Sequence, residues 1–296
     1  MPPRSKLYGL EDVVKQLYIS GFTCAEIVDI IKNKYNISTS DEAVRQVLIK
    51  LGVKRRRRGA RVKYPQHFGV MTPLKAYIIG VLVGDGCIEC RYKKGRKSKV
   101  YQIWLKTVDY SFAYAFKRIC EKLYNKKLSI KVKYYKTNFT EKPRRFFKVV
   151  VTGKAIVMDL LSFVNDISMY KCFTWKVPEA IINGCKNVKI MFLRGFADSE
   201  GTVIVDRSNH RVGIRLDSKN IHGLNDVSQL LLSLGLNNKI RRVNKNEVYG
   251  CYIWSKRDVI KFAMAIGFYN MKKRKKLYNT LEQFYGVKIA PPPFPR

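Results

Sequence analysis

A nine-residue segment of this chain occurs twice. Residues 78–86 (IIGVLVGDG) return as residues 193–201 (LRGFADSEG), with the first glycine, the last glycine and the acid before the last glycine at the same offset. A chain of 296 residues that repeats itself in this way is expected to fold as two similar halves related by a pseudo-twofold axis. A function that resides in the repeated segment would therefore draw one set of residues from each half.

The sequence after each copy also matches. Each copy is followed by the apolar alternation of two strands, an amphipathic helix, a hairpin and a closing helix. Each half is therefore predicted to be αββαββα, and the fold class to be α+β with two pseudo-symmetric halves. The predicted bounds are residues 70–164 for the first half, 165–186 for a linker, 187–270 for the second half and 271–296 for a basic C-terminal tail.

Residues 1–58 have the pattern of a helical DNA-binding domain. Thr23 with Glu26, and Thr39 with Glu42, have the spacing of capping boxes, which predict the starts of two short helices after a leading one. Such an arrangement is typical of a helix-turn-helix, whose last helix enters the major groove. A three-helix cap with a purely structural role is the alternative.

A basic run follows these helices. It is expected to serve as a linker and as an arm that contacts phosphates, and the two roles are compatible. Its arginines are Arg55, Arg56, Arg57 and Arg58.

The charge of the chain indicates its partner. There are 58 Lys and Arg against 22 Asp and Glu, a formal net charge of +36. A folded protein with this excess is expected to bind a polyanion, and nucleic acid releases counterions when its phosphates are neutralised. No apolar stretch approaches the ~18 residues of a membrane span, and the first residues lack a signal-peptide pattern, so no membrane partner is expected. The 7 cysteines lack the spacing of a disulfide framework, which predicts an intracellular protein of the cytoplasm, nucleoid or an organelle.

The repeated segments carry the candidate chemistry. Residues four apart share one helix face, so Gly80 with Gly84, and Gly195 with Ser199, would let two helix backbones approach closely. Asp85 and its counterpart Glu200 would then converge at the negative ends of the two helices. A divalent cation would relieve their repulsion, and oxygen ligands favour Mg²⁺, although Mn²⁺ or Ca²⁺ could occupy the same site.

The strands between the helices are predicted to have one apolar and one polar face. Val212, Ile214 and Leu216 alternate with charged residues, and Tyr101, Ile103 and Leu105 alternate in the first half. The outward faces would form a basic saddle for a DNA duplex, since β-ribbons fit the major groove. The candidate DNA-binding residues are Gln102, Trp104, Lys106, Lys131, Lys133, Arg144 and Lys148 in the first half and Arg211, Arg215 and Arg241 in the second.

The pair of motifs, with the strand and helix order that follows them, resembles the single-chain LAGLIDADG homing endonucleases over residues 73–268. The second copy keeps Asp198 where the family often has Asp, whereas the first copy has Val83. The resemblance implies that Asp85 and Glu200 bind metal, with help from the carbonyls of Gly84 and Ser199. It also implies hydrolysis of one phosphodiester on each DNA strand.

The family commonly places a lysine near the end of the second strand of each half, where it polarises water or the scissile phosphate. Lys219 matches that position in the second half, but Val108 stands there in the first. Lys106 shares the strand face of Val108 and would be a substitute. Without a substitute, the two strands would be cut at unequal rates.

The sequence therefore predicts a monomer that cleaves double-stranded DNA at a long, specific site. Two alternatives follow from the same features. One is a maturase that binds intron RNA, since the positive charge suits RNA equally well. The other is a DNA-binding regulator without catalysis; the carboxylate pair favours the nuclease over both.

Overall fold

The fold was analysed in a computed structural model that describes residues 7–20, 22–53, 65–92, 99–137, 140–163, 174–243 and 247–294. The chain divides into two compact units, Met1–Tyr64 and Pro65–Arg296. The predicted arm Arg55–Arg58 lies outside the described residues.

The N-terminal unit contains three helices among its described residues. Helix α1 spans Glu11–Ser20, α2 spans Cys24–Tyr35 and α3 spans Asp41–Lys50. Their apolar faces form a small core whose members are fully or almost fully buried: Leu7, Val14, Phe22, Ile27, Ile31, Val44, Val47 and Leu48.

The helix starts of this unit test the two predicted capping boxes. The first is confirmed, because the Thr23 hydroxyl accepts from the Glu26 amide while the Glu26 side chain accepts from the Thr23 amide. The second is wrong by one residue. Ser40 is the N-cap of α3 and accepts from the Ala43 amide, whereas the Thr39 hydroxyl is buried without a hydrogen-bond partner among the described residues. Ser is the better N-cap residue of the two, whereas the capping-box spacing to Glu42 favours Thr39, so the local sequence gives opposing signals for the two neighbours.

The second unit has the predicted order αββαββα, twice. The elements of the first half are α4 (Pro73–Val83), β1 (Gly86–Tyr92), β2 (Lys99–Thr107), α5 (Tyr110–Tyr124), β3 (Ile130–Thr137), β4 (Thr140–Thr152) and α6 (Lys154–Leu161). Those of the second half are α8 (Lys186–Glu200), β5 (Gly201–Asp206), β6 (Arg211–Ser218), α9 (Ile221–Ser233), β7 (Lys239–Arg242), β8 (Tyr249–Ile253) and α10 (Lys256–Ala265). A short α7 (Glu179–Ile182) precedes α8, and α11 (Met271–Tyr285) follows the second half.

Each half contains a four-stranded antiparallel sheet with the same topology. The strand orders are β1-β2-β4-β3 and β5-β6-β8-β7. The inward faces supply the core, as the alternation predicts: Ile103, Leu105, Val149 and Val151 are fully buried in the first sheet, and Val212, Ile214, Leu216 and Ile253 in the second. The predicted α+β fold with two similar sheets is therefore confirmed.

The two motif helices pack directly against each other. A Cβ atom added to Gly80 would collide with the backbone of Phe192 and lie 2.9 Å from the amide nitrogen of Phe196. One added to Gly195 would collide with the carbonyl of Tyr77. The glycines thus allow backbone-to-backbone contact, as the spacing of small residues predicts.

The motif helices end at different points. Helix α8 continues to Glu200 with Gly201 as its cap, as predicted. Asp85 was expected at the end of helix α4, but the helix stops at Val83, and Gly84 has a non-helical backbone (φ −90°, ψ −107°). Asp85 therefore lies in the turn between α4 and β1, and Glu200 lies in the last turn of its helix.

The segments on either side of the second half are more structured than a linker and a tail. Trp175, Val177 and Ile181, within the predicted linker, are buried. The C-terminal segment includes the long helix α11, and Phe294 stacks at 6.0 Å on Tyr114 of the first half. No helix of the described residues is both long and apolar enough to cross a bilayer.

Candidate active site

Asp85 and Glu200 meet where the packed motif helices end. An added Cβ at Gly84 would lie 2.9 Å from the Ser199 hydroxyl and 3.2 Å from Cγ of Glu200, so the two acidic segments are in direct contact. Burial raises the pKa of Asp85, and burial together with repulsion from Asp85 raises the pKa of Glu200 to about 7. The expected convergence of one acid from each half is present in the structure.

A cleft opens beside this pair. It has a volume of about 430 Å³ and lies between the turn after α4, the end of β2, the end of α8 and the start of α11. Its lining includes Asp85, Val108 and Asp109 from the first half and Ser199 from the second. Three lysines of α11 complete the lining: Lys272, Lys273 and Lys276.

Lys273 lies beside the two acids and interacts with both. Its ammonium donates to three backbone carbonyls at the end of α8, those of Ala197 (3.1 Å), Asp198 (2.6 Å) and Ser199 (2.9 Å). Burial lowers the pKa of Lys273, while the nearby carboxylates of Asp198, Asp85 and Glu200 raise it. The Ser199 carbonyl, which the sequence predicted to help bind metal, therefore already accepts from an ammonium.

Asp198 performs a structural task beside the site. Its Oδ1 accepts from the amides of Tyr269 and Asn270, both at 2.9 Å, and its Oδ2 accepts from the Tyr77 hydroxyl at 2.8 Å. Burial raises the pKa of Asp198 to about 6, and these hydrogen bonds oppose the increase. This carboxylate holds the start of α11 against both motif helices, which brings Lys273 to the end of α8.

Val108 and Lys219 directly follow the second strand of each half, β2 and β6, so their local structures can be compared. Val108 comes directly before Asp109, the N-cap of α5, whose amide donates to the Thr107 hydroxyl at 3.2 Å. Lys219 comes directly before the N-cap of α9, and that residue's amide donates in the same way to Ser218, at 3.0 Å. The two positions are structurally equivalent, so the first half has an apolar side chain where the second has a lysine.

The predicted substitute, Lys106, lies on the same strand segment but does not line the cleft. It is exposed on β2, opposite Lys148 of β4, with its ammonium 4.8 Å from the centre of the Phe146 ring. Among the described residues, the cleft is lined by Thr107 and Val108 of this strand segment and not by Lys106.

The strand registers show where the candidate DNA contacts of the first half lie. Lys106, Lys148 and Lys131 are direct neighbours across β2, β4 and β3, so they share one face. Trp104 lies on that face as well, with the Lys148 ammonium 4.5 Å from its ring centre. Because every second residue of a strand points to the same face, Gln102 of β2, Lys133 of β3 and Arg144 of β4 also lie on this face.

In the second half the basic face is interrupted by an acid. Arg215 pairs with Asp217 at 2.8 Å, and Asp217 also contributes to the raised pKa of Glu200. Arg241 is exposed and lies opposite Gly250 in the strand pair. A Cβ atom added to Gly250 would lie 3.0 Å from the Arg215 side chain. Arg211 is exposed at the start of β6. The outward strand faces therefore carry the predicted basic residues, and their contacts with DNA stay predictions.

Comparison with known proteins identifies the second half of this arrangement. Residues 187–267 match the LAGLIDADG-like domain family. They are a LAGLIDADG-like domain. The match covers α8 through α10, and the predicted resemblance to this family is confirmed.

The relationship extends beyond that LAGLIDADG-like domain. The homing endonuclease I-ApeI of Aeropyrum pernix is 26% identical over 207 residues, which covers 69% of this chain and 86% of that protein. Among solved structures, a mesophilic variant of the homing endonuclease I-DmoI is 24% identical and covers 66% of this chain and 94% of its own, with a TM-score of 0.46. The homing endonuclease I-WcaI, bound to its DNA recognition sequence, is 14% identical, covers 75% of this chain and 84% of its own, and has a TM-score of 0.44.

The donor set at the site fits a divalent cation. The two adjacent carboxylates, which repel each other, supply ligands of the oxygen type that Mg²⁺, Mn²⁺ and Ca²⁺ prefer. The described residues contain no cluster of three or more acidic, histidine or cysteine side chains that could hold a metal ion. A cation between Asp85 and Glu200 would therefore need further ligands from carbonyls, water or a bound phosphate.

Lys273 is the site residue that sequence reasoning missed. It belongs to the basic run of residues 272–276, in which five successive residues are Lys or Arg. Such a run is usually solvated, and nothing in its local pattern separates one lysine from the others. The available signal was Asn270, an N-cap residue type that fixes which side chains of α11 point back toward α8.

Proposed function

We propose that this chain is a site-specific homing endonuclease that binds double-stranded DNA and hydrolyses both strands with Mg²⁺ held between Asp85 and Glu200. One observation carries the proposal: each repeat delivers one acid to the same point, beside an open cleft. Burial and the repulsion from Asp85 together raise the pKa of Glu200 to about 7, and a cation between the two acids would offset that repulsion. The similarity to I-ApeI, a homing endonuclease, supports the same conclusion.

The carboxylates of Asp85 and Glu200 would hold the metal together with the Gly84 carbonyl. The Ser199 carbonyl would contribute only if it can bind the metal while it accepts from Lys273. When bound, a divalent cation at such a site supplies activation of water and stabilisation of the leaving oxygen. The chain itself supplies the orientation of the two acids through the close helix contact at Gly80 and Gly195.

The lysines near the cleft would act on the phosphate. Lys219 follows β6 at the position that would polarise the attacking water or the scissile phosphate in the second half. The equivalent Val108 has no proton to offer, which predicts slower cleavage of the strand that the first half attacks.

Recognition of the duplex would use the outward faces of the two sheets. Phosphates would be contacted by the exposed lysines and arginines, which accounts for the net charge of +36 and predicts salt-sensitive affinity. Trp104, beside the Lys148 ammonium, and Gln102, whose side-chain amide donates to Glu89, would contribute to base recognition. Since both halves lie on one chain, a monomer would suffice, and helices α1–α3 with the Arg55–Arg58 arm would extend the contact to flanking DNA.

The test is cleavage of a randomised duplex library, and of the DNA that flanks the gene, with and without Mg²⁺. Metal-dependent double-strand cuts are expected from the wild type and from Glu179→Ala, an exposed acid on α7. Asp85→Ala and Glu200→Ala should each lose cleavage by at least about 10³-fold, the scale of a lost catalytic group. Tight duplex binding without any cut by the wild type would contradict the proposal, and structured intron RNA would then be the next ligand to test.

A further inference from the structure

The ammonium of Lys273 lies in a cage made by the end of α8. An ammonium has three protons, and all three are donated to successive backbone carbonyls, of Ala197, Asp198 and Ser199. All three carbonyls belong to the last turn of the helix, where carbonyls lack the usual intrahelical donors, although that of Ala197 also accepts from the amide of the cap residue Gly201. Lys273 therefore satisfies three acceptors at once and is fixed in position.

The same ammonium faces four acids. Asp198, Asp85, Glu200 and Asp109 all attract it, and it lowers the pKa of Asp85 and of Glu200 in return. The helix end adds its own negative partial charge at this point. Lys273 is thus placed where a positive charge is most favourable, between the helix end and the carboxylate pair.

The neighbouring cations of α11 are placed differently. Lys276 also lines the cleft, but its ammonium donates to the Val203 carbonyl at 2.8 Å. Lys272 is exposed at the mouth of the same cleft. Lys275 is exposed on the same helix and does not line the cleft, so it provides a matched control of equal charge.

We propose that Lys273 is a positioning residue that serves as a fixed counter-cation of the Asp85–Glu200 pair, holding the acids together before metal binds and weakening the metal's affinity by competing for the same negative charge. The inference rests on the proposed metal site. It also assigns a task to α11, a helix that lies outside both αββαββα repeats.

The size of the competition follows from Coulomb's law. A unit positive charge and a divalent cation a few ångströms apart repel each other even in bulk water, and repel more strongly inside a protein. Neutralising Lys273 should therefore strengthen metal binding by at least about tenfold. A residue with a merely structural role would weaken metal binding when replaced, because the site would lose its shape.

The experiment is an equilibrium titration of the intact, DNA-free protein with Mn²⁺, followed by electron paramagnetic resonance, with thermal melting measured on the same samples. Lys273→Met removes the charge and the hydrogen bonds. Lys273→Gln removes the charge but keeps amide donors for the carbonyls. Lys275→Met removes an equal charge from the same helix.

We expect both Lys273 variants to melt at lower temperature without metal and yet to bind Mn²⁺ at least about tenfold more tightly than wild type, with Lys275→Met unchanged. Equal or weaker Mn²⁺ binding in a folded Lys273→Gln would overturn the inference and leave the metal site intact. Failure of both Lys273 variants to fold would overturn it too, since the lysine would then be a structural requirement. A folded wild type that binds no Mn²⁺ would instead contradict the proposed function.

Discussion

Helix α4 stops at Val83, and the chain turns through Gly84 and Asp85 into β1, whereas α8 runs on to Glu200 and its last carbonyls accept three hydrogen bonds from Lys273. The two copies of the motif share their small residues and their terminal acid, yet they are held by different polar contacts. Their common features are those that the helix contact and the carboxylate pair require. The polar contacts around the two copies can differ, because any contact that fixes the end of a helix keeps its acid in place.

Further polar contacts hold the two motif helices at different points along their length. In the first half, Lys75 near the start of α4 is fully buried and pairs with Asp159 of α6 at 2.8 Å. In the second half, Arg194 in the middle of α8 donates to the carbonyls of Ala265 and Ile266 and to the Tyr269 hydroxyl. The first half uses an ion pair, and the second uses neutral acceptors.

The largest effect should come from disrupting the close contact between the two motif helices, to which both halves contribute. Gly80→Val and Gly195→Val should each abolish cooperative folding, because the added carbons would meet the partner helix backbone, which cannot move aside. Gly84→Ala is the graded comparison, since its added carbon would meet only the side chains of Ser199 and Glu200. Circular dichroism melting tests this, and a cooperative, near-normal transition in Gly80→Val would contradict the close helix contact.

The next effect separates the two supports. Lys75→Met should cost about 3–5 kcal/mol of unfolding free energy, because it leaves the Asp159 carboxylate buried without its cation. Arg194→Met should cost less, about 1–3 kcal/mol, since it leaves neutral acceptors unpaired. Urea unfolding measures both, and the double change Lys75→Met with Asp159→Leu should recover much of the loss. An equal cost for Lys75→Met and Arg194→Met would show that the ion pair is not a special feature of the first half.

A smaller effect on stability is expected at the two acids. The pKa of Glu200 is about 7 in the fold against 4.5 when unperturbed, so its ionisation destabilises the metal-free protein. Glu200→Gln should therefore be more stable than wild type by up to about 3 kcal/mol above pH 7 in EDTA. The difference should shrink as the pH falls from 7 toward 4.5, where the wild-type carboxyl becomes protonated in both states. Melting at several pH values checks this, and a pH-independent difference would refute the assigned cause.

The smallest effect concerns the two DNA strands. Val108 is 59% exposed and lines the cleft, so Val108→Lys would place a lysine at the position equivalent to Lys219 without disturbing the core. It should accelerate cleavage of the slower strand by about tenfold, a modest general-catalytic gain. Val132→Lys, at a strand position that is 51% exposed, is the control. Strand-specific end labelling gives both rates. Equal rates in the wild type and a loss in Lys106→Ala would indicate instead that Lys106 already supplies the missing group.

The sequence was sufficient for the architecture because periodicity and duplication are properties of the whole chain. The inward positions of Ile103, Leu105, Val212 and Leu216 followed from alternation alone, and the close helix contact followed from the spacing of the glycines. The convergence of the two acids then followed from the duplication.

The details that the sequence did not provide depend on contacts between distant segments. Lys273 reaches α8 only because the Asp198 carboxylate, 71 and 72 residues away in sequence from its two partners, binds the amides of Tyr269 and Asn270. The end of α4 at Val83 and the choice of Ser40 over Thr39 as a cap reflect small local energies that packing overrides. Linker residues such as Trp175 were assigned to a loop because no repeat or period marks them.

We propose that Asp85 and Glu200, one from each repeat, form a single metal site, and an Mn²⁺ titration of the two single variants would reveal whether both acids bind the ion. Asp85→Asn and Glu200→Gln should each bind Mn²⁺ at least about tenfold more weakly than wild type, because each removes one of two charged ligands. Glu179→Gln should bind normally. Unchanged affinity in either site variant, with the protein folded, would contradict a shared site.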